Sequence, residues 1–105
     1  MLLLKPINYL TELIHIIYYK YAALLNLIFP YVTINSLKLK IFPYVSKPLG
    51  YNFEKNLSPF FKPKQKILDI GCGCGIFSLL AAKKGCIVTA SDLSKTALNN
   101  TYYNC

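Results

Sequence analysis

Lys66-Ile67-Leu68-Asp69-Ile70-Gly71-Cys72-Gly73-Cys74-Gly75-Ile76 is the stretch on which the reading of the chain turns. A short apolar run closes on three glycines spaced two apart, and from Ile76 onward Ile76, Leu79, Leu80 and Lys83 follow helical spacing. Strand, glycine turn and helix are expected in that order. Gly85 stands where a helix C-cap belongs, and Ile87-Val88-Thr89-Ala90 is rich in the β-branched residues that strands favour. Ser91-Asp92 follows directly, and Ser94 is placed to cap a second helix running through Leu98 towards Asn104.

A strand, helix, strand, helix order implies a parallel pair with a right-handed crossover, and such sheets take ligands at the carboxyl ends of their strands. The expected fold class is α/β, the N-terminal portion of a Rossmann-like doubly wound parallel sheet, preceded by an amphipathic, mainly helical segment. The glycine run and Asp92 both lie at the ligand end. Glycines admit close approach of a ligand to the backbone, helix amides point at it, and a carboxylate some 20 residues on accepts hydrogen bonds from ribose hydroxyls.

The type of nucleoside follows from what the turn lacks. The dinucleotide fingerprint G-x-G-x-x-G fails at Ile76 when counted from Gly71 and at Ser78 when counted from Gly73. There is no G-x-x-x-x-G-K-[ST] phosphate loop, and no basic side chain follows the glycines closely enough to neutralise a triphosphate. A nucleoside without a diphosphate is the better match.

Leu68-Asp69-Ile70-Gly71-Cys72-Gly73-Cys74-Gly75 resembles motif I, D/E-x-G-x-G-x-G, of class I S-adenosylmethionine-dependent methyltransferases. The resemblance extends over about Phe60 to Cys105 and is nearest to the small-domain enzymes that methylate ribosomal proteins, release factors and RNA. It implies a cofactor, S-adenosylmethionine, and a set of cofactor-binding residues. Asp69 matches the acid that helps place the methionine amino group, and Gly71, Cys72, Gly73 and Gly75 match the cofactor-facing turn. Asp92 matches the acid that holds the ribose hydroxyls, and Leu93 the apolar position beside the adenine. Cys74 stands where Thr or Ser is commoner. Each acid also has a purely structural reading as a cap on the helix that follows it. Neither is expected to be a general base, because methyl transfer depends mainly on in-line positioning and desolvation.

Working outward toward the N-terminus, Pro43, Pro48 and Gly50 break up the sequence between Tyr31 and Gln65. Ile41-Phe42-Pro43-Tyr44-Val45 is a candidate extended segment, although its proline argues against a central strand. One helical turn is expected from Tyr51 to Leu57, within a connecting segment at 46–65 that lies over the next domain. The chain is thus divided into an N-terminal segment, 1–45, this connection, and a methyltransferase start, 66–105. Further out, Ile7, Leu10, Ile14, Ile17, Tyr21, Leu24 and Ile28 recur at alternating spacings of three and four, the pattern of a helix's buried stripe, which Pro30 ends. Leu13, Ile16, Ala23 and Leu27 widen the apolar surface, so this helix needs cover from the domain, a partner or a membrane. Packing on the catalytic domain is expected, while Lys5, Lys20, Lys38 and Lys40 leave contact with a lipid surface open. His15, the only histidine, is read as a helix-face residue.

Twelve lysines against four acidic residues give a net charge of +8, and arginine is absent. Most of the excess precedes Ile67, so the charge characterises the N-terminal half. It reads as a solubilising lysine-rich face, with anionic lipid or nucleic acid as alternatives; lysine without arginine gives diffuse attraction and little base recognition. Cys72, Cys74, Cys86 and Cys105 do not form two closed ligand pairs, so no metal is expected, and a reducing cytoplasmic setting fits them. The residues that bind the acceptor in this family lie after its third and fourth strands, beyond anything present here. The chain is therefore expected to be a fragment with an incomplete cofactor pocket and an unknown acceptor, protein, RNA or small molecule, and little or no methyl transfer of its own. The competing classes are a nucleotide- or dinucleotide-binding module and a non-enzymatic membrane-associated fragment.

Overall fold

The computed structural model describes residues 5–34, 36–48 and 52–105, with side chains from Tyr9 onward. The side chains of Lys5 and Ile7, and residues Gly50 and Tyr51, lie outside this set. Among the described residues, four helices and four strands follow one another as α1 (Lys5–Ile28), β1 (Tyr31–Ile34), β2 (Leu37–Lys40), α2 (Phe53–Leu57), β3 (Lys66–Ile70), α3 (Ile76–Lys83), β4 (Ile87–Ser91) and α4 (Lys95–Asn104). A 3-10 turn, Ser58–Phe60, continues α2.

The C-terminal half is built as the glycine pattern requires. β3 and β4 are parallel and paired residue for residue, Lys66 opposite Ile87 through Ile70 opposite Ser91, with α3 as the crossover. Gly85, at φ +85°, ends α3: its amide donates to the Ala82 carbonyl, and the Cys86 amide reaches back to Ala81. Ser94 caps α4 by accepting a hydrogen bond from the Ala97 amide at 3.2 Å. The architecture is α/β with a small two-stranded parallel sheet, consistent with part of a Rossmann-like fold.

Between α1 and α2 the structure differs from the expectation. The strands are β1 and β2, an antiparallel hairpin with Val32 opposite Leu39 and Ile34 opposite Leu37, while residues 41–45 are irregular. Pro43 has no N–H to give a ladder, and the Phe42 amide is taken by the side chain of Asn100 at 2.8 Å. Side-chain alternation explains the hairpin. Ile34 and Leu39 are buried, Val32 and Leu37 pack beside them, and Tyr31, Thr33 and Lys38 face solvent.

The core joins this hairpin to the parallel unit: Ile34, Leu39, Ile41, Val45, Phe53, Cys74, Ile76, Leu80 and Ala97 form one cluster. Leu39 and Ile41 are fully buried, each contributing about 2 kcal/mol by apolar burial. Phe53 reaches across to Phe77 edge-on, with ring centres 5.2 Å apart, so α2 packs against α3. Among the described residues, two extended faces are apolar and bare. One is the face of the parallel sheet carrying Leu68, Ile70 and Ile87, which are 61%, 78% and 59% exposed. In a doubly wound sheet both faces are covered.

The other is α1. The stripe expected to be buried is turned outward: Leu10, Ile14, Ile17, Tyr21, Leu24 and Ile28 are each 51–60% exposed. The body is held by the opposite side of the helix, where Ala23 and Asn26 are buried. Asn26 decides the orientation, because its amide donates to the carbonyls of Phe42, at 3.1 Å, and Val45, at 2.8 Å. Lys47 closes the contact by donating to the Phe29 carbonyl at 2.7 Å.

Candidate cofactor site

The site is assembled from the carboxyl ends of β3 and β4 and the turn between β3 and α3. Gly71, Gly73 and Gly75 all have positive φ, +75°, +55° and +92°, which is why this turn takes glycine at each. The turn is tied to β4 by its own amides. Gly71 and Cys72 both donate to the Ser91 carbonyl, at 2.8 and 2.9 Å, and the Gly73 amide donates to Asp92 Oδ2 at 3.1 Å. Asp92 Oδ1 accepts from the Ser94 amide at 2.8 Å, so the carboxylate is fixed from both sides at the strand end. Asp92 caps neither α3 nor α4; Ser94 performs that task for α4.

Asp69 lies on β3 opposite Ala90, and its Oδ2 accepts a hydrogen bond from Ser78 Oγ at 2.7 Å. This bond ties β3 to α3 through a side chain, in place of an amide cap. Ser78 is the residue that breaks the dinucleotide fingerprint, and here it holds the acid. Ser78→Ala is expected to cost about 1.5 kcal/mol, the usual worth of a hydrogen bond to a charged group, and to lower the thermal midpoint by several degrees. A melting curve unchanged from wild type would show that the bond contributes nothing.

Cys72 and Cys74 are buried, and burial pushes the Cys74 thiol above its ordinary pKa, with nearby Cys72 and Asp69 adding to the rise. A neutral, enclosed thiol acts as a small packing residue and is a poor nucleophile. Leu93 is fully exposed beside the turn. Among the described residues no group of three or more His, Cys, Asp or Glu is placed to hold a metal ion.

Three residues that sequence reasoning passed over complete the site. Thr101 Oγ1 donates to the Gly73 carbonyl at 2.9 Å, and Asn104 Nδ2 donates to the Cys74 carbonyl at 2.8 Å, so α4 clasps the turn from behind. Asn104 also exchanges hydrogen bonds with the backbone of Lys40, donating to its carbonyl at 2.8 Å and accepting from its amide at 2.9 Å. Asn100, fully buried, accepts from the Phe42 amide and donates to the Lys40 carbonyl at 2.7 Å. The available signal was polar residues at 100, 101 and 104, the side of α4 that continues from buried Ala97.

The front of the turn is open. A Cβ built on Gly71 or Gly73 would meet nothing within 4 Å, whereas one built on Gly75 would lie 3.1 Å from Thr101. A ligand can therefore approach the first two glycines directly, with the Asp92 carboxylate alongside. A groove of about 290 Å³ elsewhere, between α1 and residues 44–47, shares no residue with this turn.

The geometry has its counterpart in known sequences. The family model described as ribosomal protein L11 methyltransferase (PrmA) matches residues 55–105. A ribosomal protein L11 methyltransferase of Campylobacter jejuni is 35% identical over 75 residues, which is 67% of this chain and 27% of the relative. That of a Nitratiruptor species is 40% identical over 48 residues, 46% of this chain and 17% of the relative. That of Oceanobacillus iheyensis is 39% identical over 51 residues, 48% of this chain and 16% of the relative. The chain thus spans about a quarter or less of the length of these curated relatives. No solved structure matches. The likeness to class I S-adenosylmethionine-dependent methyltransferases expected from the glycine turn is met, over part of the chain, in the L11 methyltransferases.

Proposed function

We propose that residues 66–105 form the cofactor-holding start of an S-adenosylmethionine-dependent methyltransferase domain. The observation that carries this reading is the Gly73–Asp92 hydrogen bond, which sets a carboxylate beside an open glycine turn at the ends of two parallel strands. The residues suit the cofactor. An acid at the second strand end offers acceptors for a ribose diol, and the turn has no basic side chain of the kind a diphosphate needs.

In this proposal Asp92 holds the ribose hydroxyls and Asp69, oriented by Ser78, receives the amino group. Gly71, Cys72, Gly73 and Gly75 lie against the cofactor, and Leu93 covers the adenine. The cofactor supplies an electrophilic methyl; what the chain supplies is position and exclusion of water. The bare face of Leu68, Ile70 and Ile87 is where a complete doubly wound domain would place its next layer. Acceptor recognition belongs to that remainder, so these 105 residues alone are proposed to have little or no transferase activity. The matched relatives are named for methylating ribosomal protein L11, which favours a protein acceptor for the whole enzyme.

Calorimetric titration with adenosylhomocysteine tests the reading. Wild type is expected to bind it and not NAD, and Asp92→Ala to weaken binding at least about tenfold, as expected when charge-assisted hydrogen bonds to hydroxyls are lost. Equal affinity in wild type and variant would remove Asp92 from the site. Binding of NAD in preference to adenosylhomocysteine would favour a dinucleotide module, and a folded wild type that binds neither would leave the turn without this function.

A further inference from the structure

The fold brings lysines that the sequence keeps apart to one end of the parallel sheet. Lys62, Lys64 and Lys66 lead into β3, Lys83 and Lys84 close α3, and all five are exposed. Hydrogen bonds stitch the two segments together. The Lys64 amide donates to the Gly85 carbonyl at 2.8 Å, the Ile87 amide to the Gln65 carbonyl at 2.8 Å, and the Cys86 thiol to the Lys62 carbonyl at 3.2 Å. Gly85 lies against Pro63, where an added Cβ would be 3.5 Å away.

Neither segment carries an acid. From Lys55 to Ala90 the single carboxylate is Asp69, which accepts from Ser78 beside the glycine turn, about 10 Å along β3 from Lys66. Lys83 Nζ donates to Ser36 Oγ at 2.7 Å, a neutral partner that leaves its charge in place. The negative end of the α3 dipole accounts for Lys83 and Lys84. It does not account for the other three. Lys64 stands at φ +65°, a conformation that glycine would hold with less strain, so the fold alone gives no reason for lysine there.

We infer that Lys62, Lys64, Lys66, Lys83 and Lys84 form a surface that holds the phosphodiester backbone of a nucleic acid. The neighbouring residues choose between polyanions. A lipid surface is gripped by apolar side chains set beside the charge, and the two segments expose no large one: between the lysines stand Pro63 and Gln65, and Gly85 follows. Ammonium groups without arginine follow phosphates and read no bases, so the binding is independent of sequence. Completion of a doubly wound sheet adds strands at its edges and helices on its faces, which leaves the strand ends open. The patch lies at the amino ends of the strands, about 13 Å along β3 from the start of the glycine turn, so a nucleic acid held there anchors the protein without entering the turn.

Fluorescence anisotropy of a labelled oligouridylate of about 20 nucleotides, titrated with the whole chain, is the test. Binding is expected at about 50 mM salt and should be about 100-fold weaker at about 200 mM, the dependence that five phosphate contacts to a single strand produce. Lys66→Gln with Lys84→Gln, one change on each segment, should weaken binding at least about tenfold at the lower salt and reduce the salt slope by about 1.4. Lys20→Gln with Lys95→Gln removes the same charge elsewhere and should stay within about twofold of wild type. Lys64→Gly removes one charge while relaxing the backbone, so it should lose about threefold in affinity at an unchanged melting temperature. No binding by a folded wild type, equal losses in the two double variants, or a salt slope unmoved by Lys66→Gln with Lys84→Gln would overturn the proposal. So would a chain that leaves the oligonucleotide free yet floats with phosphatidylglycerol vesicles until Lys66→Gln with Lys84→Gln releases it, which would assign the patch to a lipid surface.

Discussion

Gly75→Ala is expected to remove about 4 kcal/mol of folding stability, much of what a domain of this size possesses. Two costs add. A side chain at φ +92° is strained by roughly 1–2 kcal/mol, and the new Cβ would sit 3.1 Å from both the Cα and the side chain of Thr101. Backbone cannot rotate aside as a side chain can, so α4 must shift, which adds about 1–3 kcal/mol of overpacking. The measurement is urea unfolding beside Gly71→Ala, a control with comparable strain but open space around the added methyl. The control should lose only about 1–2 kcal/mol. Similar losses at both positions would mean that α4 does not pack against the turn as described.

Asn100→Ala is expected to cost about 3 kcal/mol, because a buried amide that serves two backbone groups has no substitute in an alanine. The Phe42 N–H loses its acceptor, while the Lys40 carbonyl retains Asn104. Hydrogen exchange separates this from general loosening: the Phe42 amide should exchange faster relative to amides of the β3–β4 ladder. Asn104→Ala, at a half-buried position, should be milder in unfolding yet should release the Cys74 carbonyl. If Asn100→Ala melts with wild type, the hairpin is not secured by that side chain.

How far these features could be read in advance depended on the range of the forces behind them. Lys66–Ile70, the glycine turn, Gly85 and Ser94 are governed by interactions within a few residues, and their places were legible. The strand-end carboxylate was legible too, since a parallel βαβ unit has little freedom in where Asp92 falls relative to the turn. The hairpin was missed although Val32 and Ile34, then Leu37 and Leu39, alternate around Asn35-Ser36, because the four-residue strands are short and the prolines nearby drew the reading toward irregular chain. The stripe of α1 was read as apolar and in need of cover, with packing on the domain expected; within this chain it faces outward. Periodicity says that a face wants cover but not which surface supplies it, and Asn26 reversed the outcome with two hydrogen bonds to residues 16 and 19 positions away. Asn100, Thr101 and Asn104 were illegible as site residues because their partners are 28 to 64 positions distant.

That last separation has a kinetic side. The hydrogen bonds from Asn100 and Asn104 to Lys40 and Phe42 close loops of about sixty residues, contacts whose entropic cost falls early and whose return comes late. The side-chain hydrogen bonds that hold the end of β2 therefore wait until Lys95–Asn104 has coiled into α4. Because the same asparagine that receives Lys40 also supports the Cys74 carbonyl, the glycine turn acquires its finished shape in the step that docks the hairpin. β1 and β2 thus await α4, and the ligand-facing turn sets in the same late step.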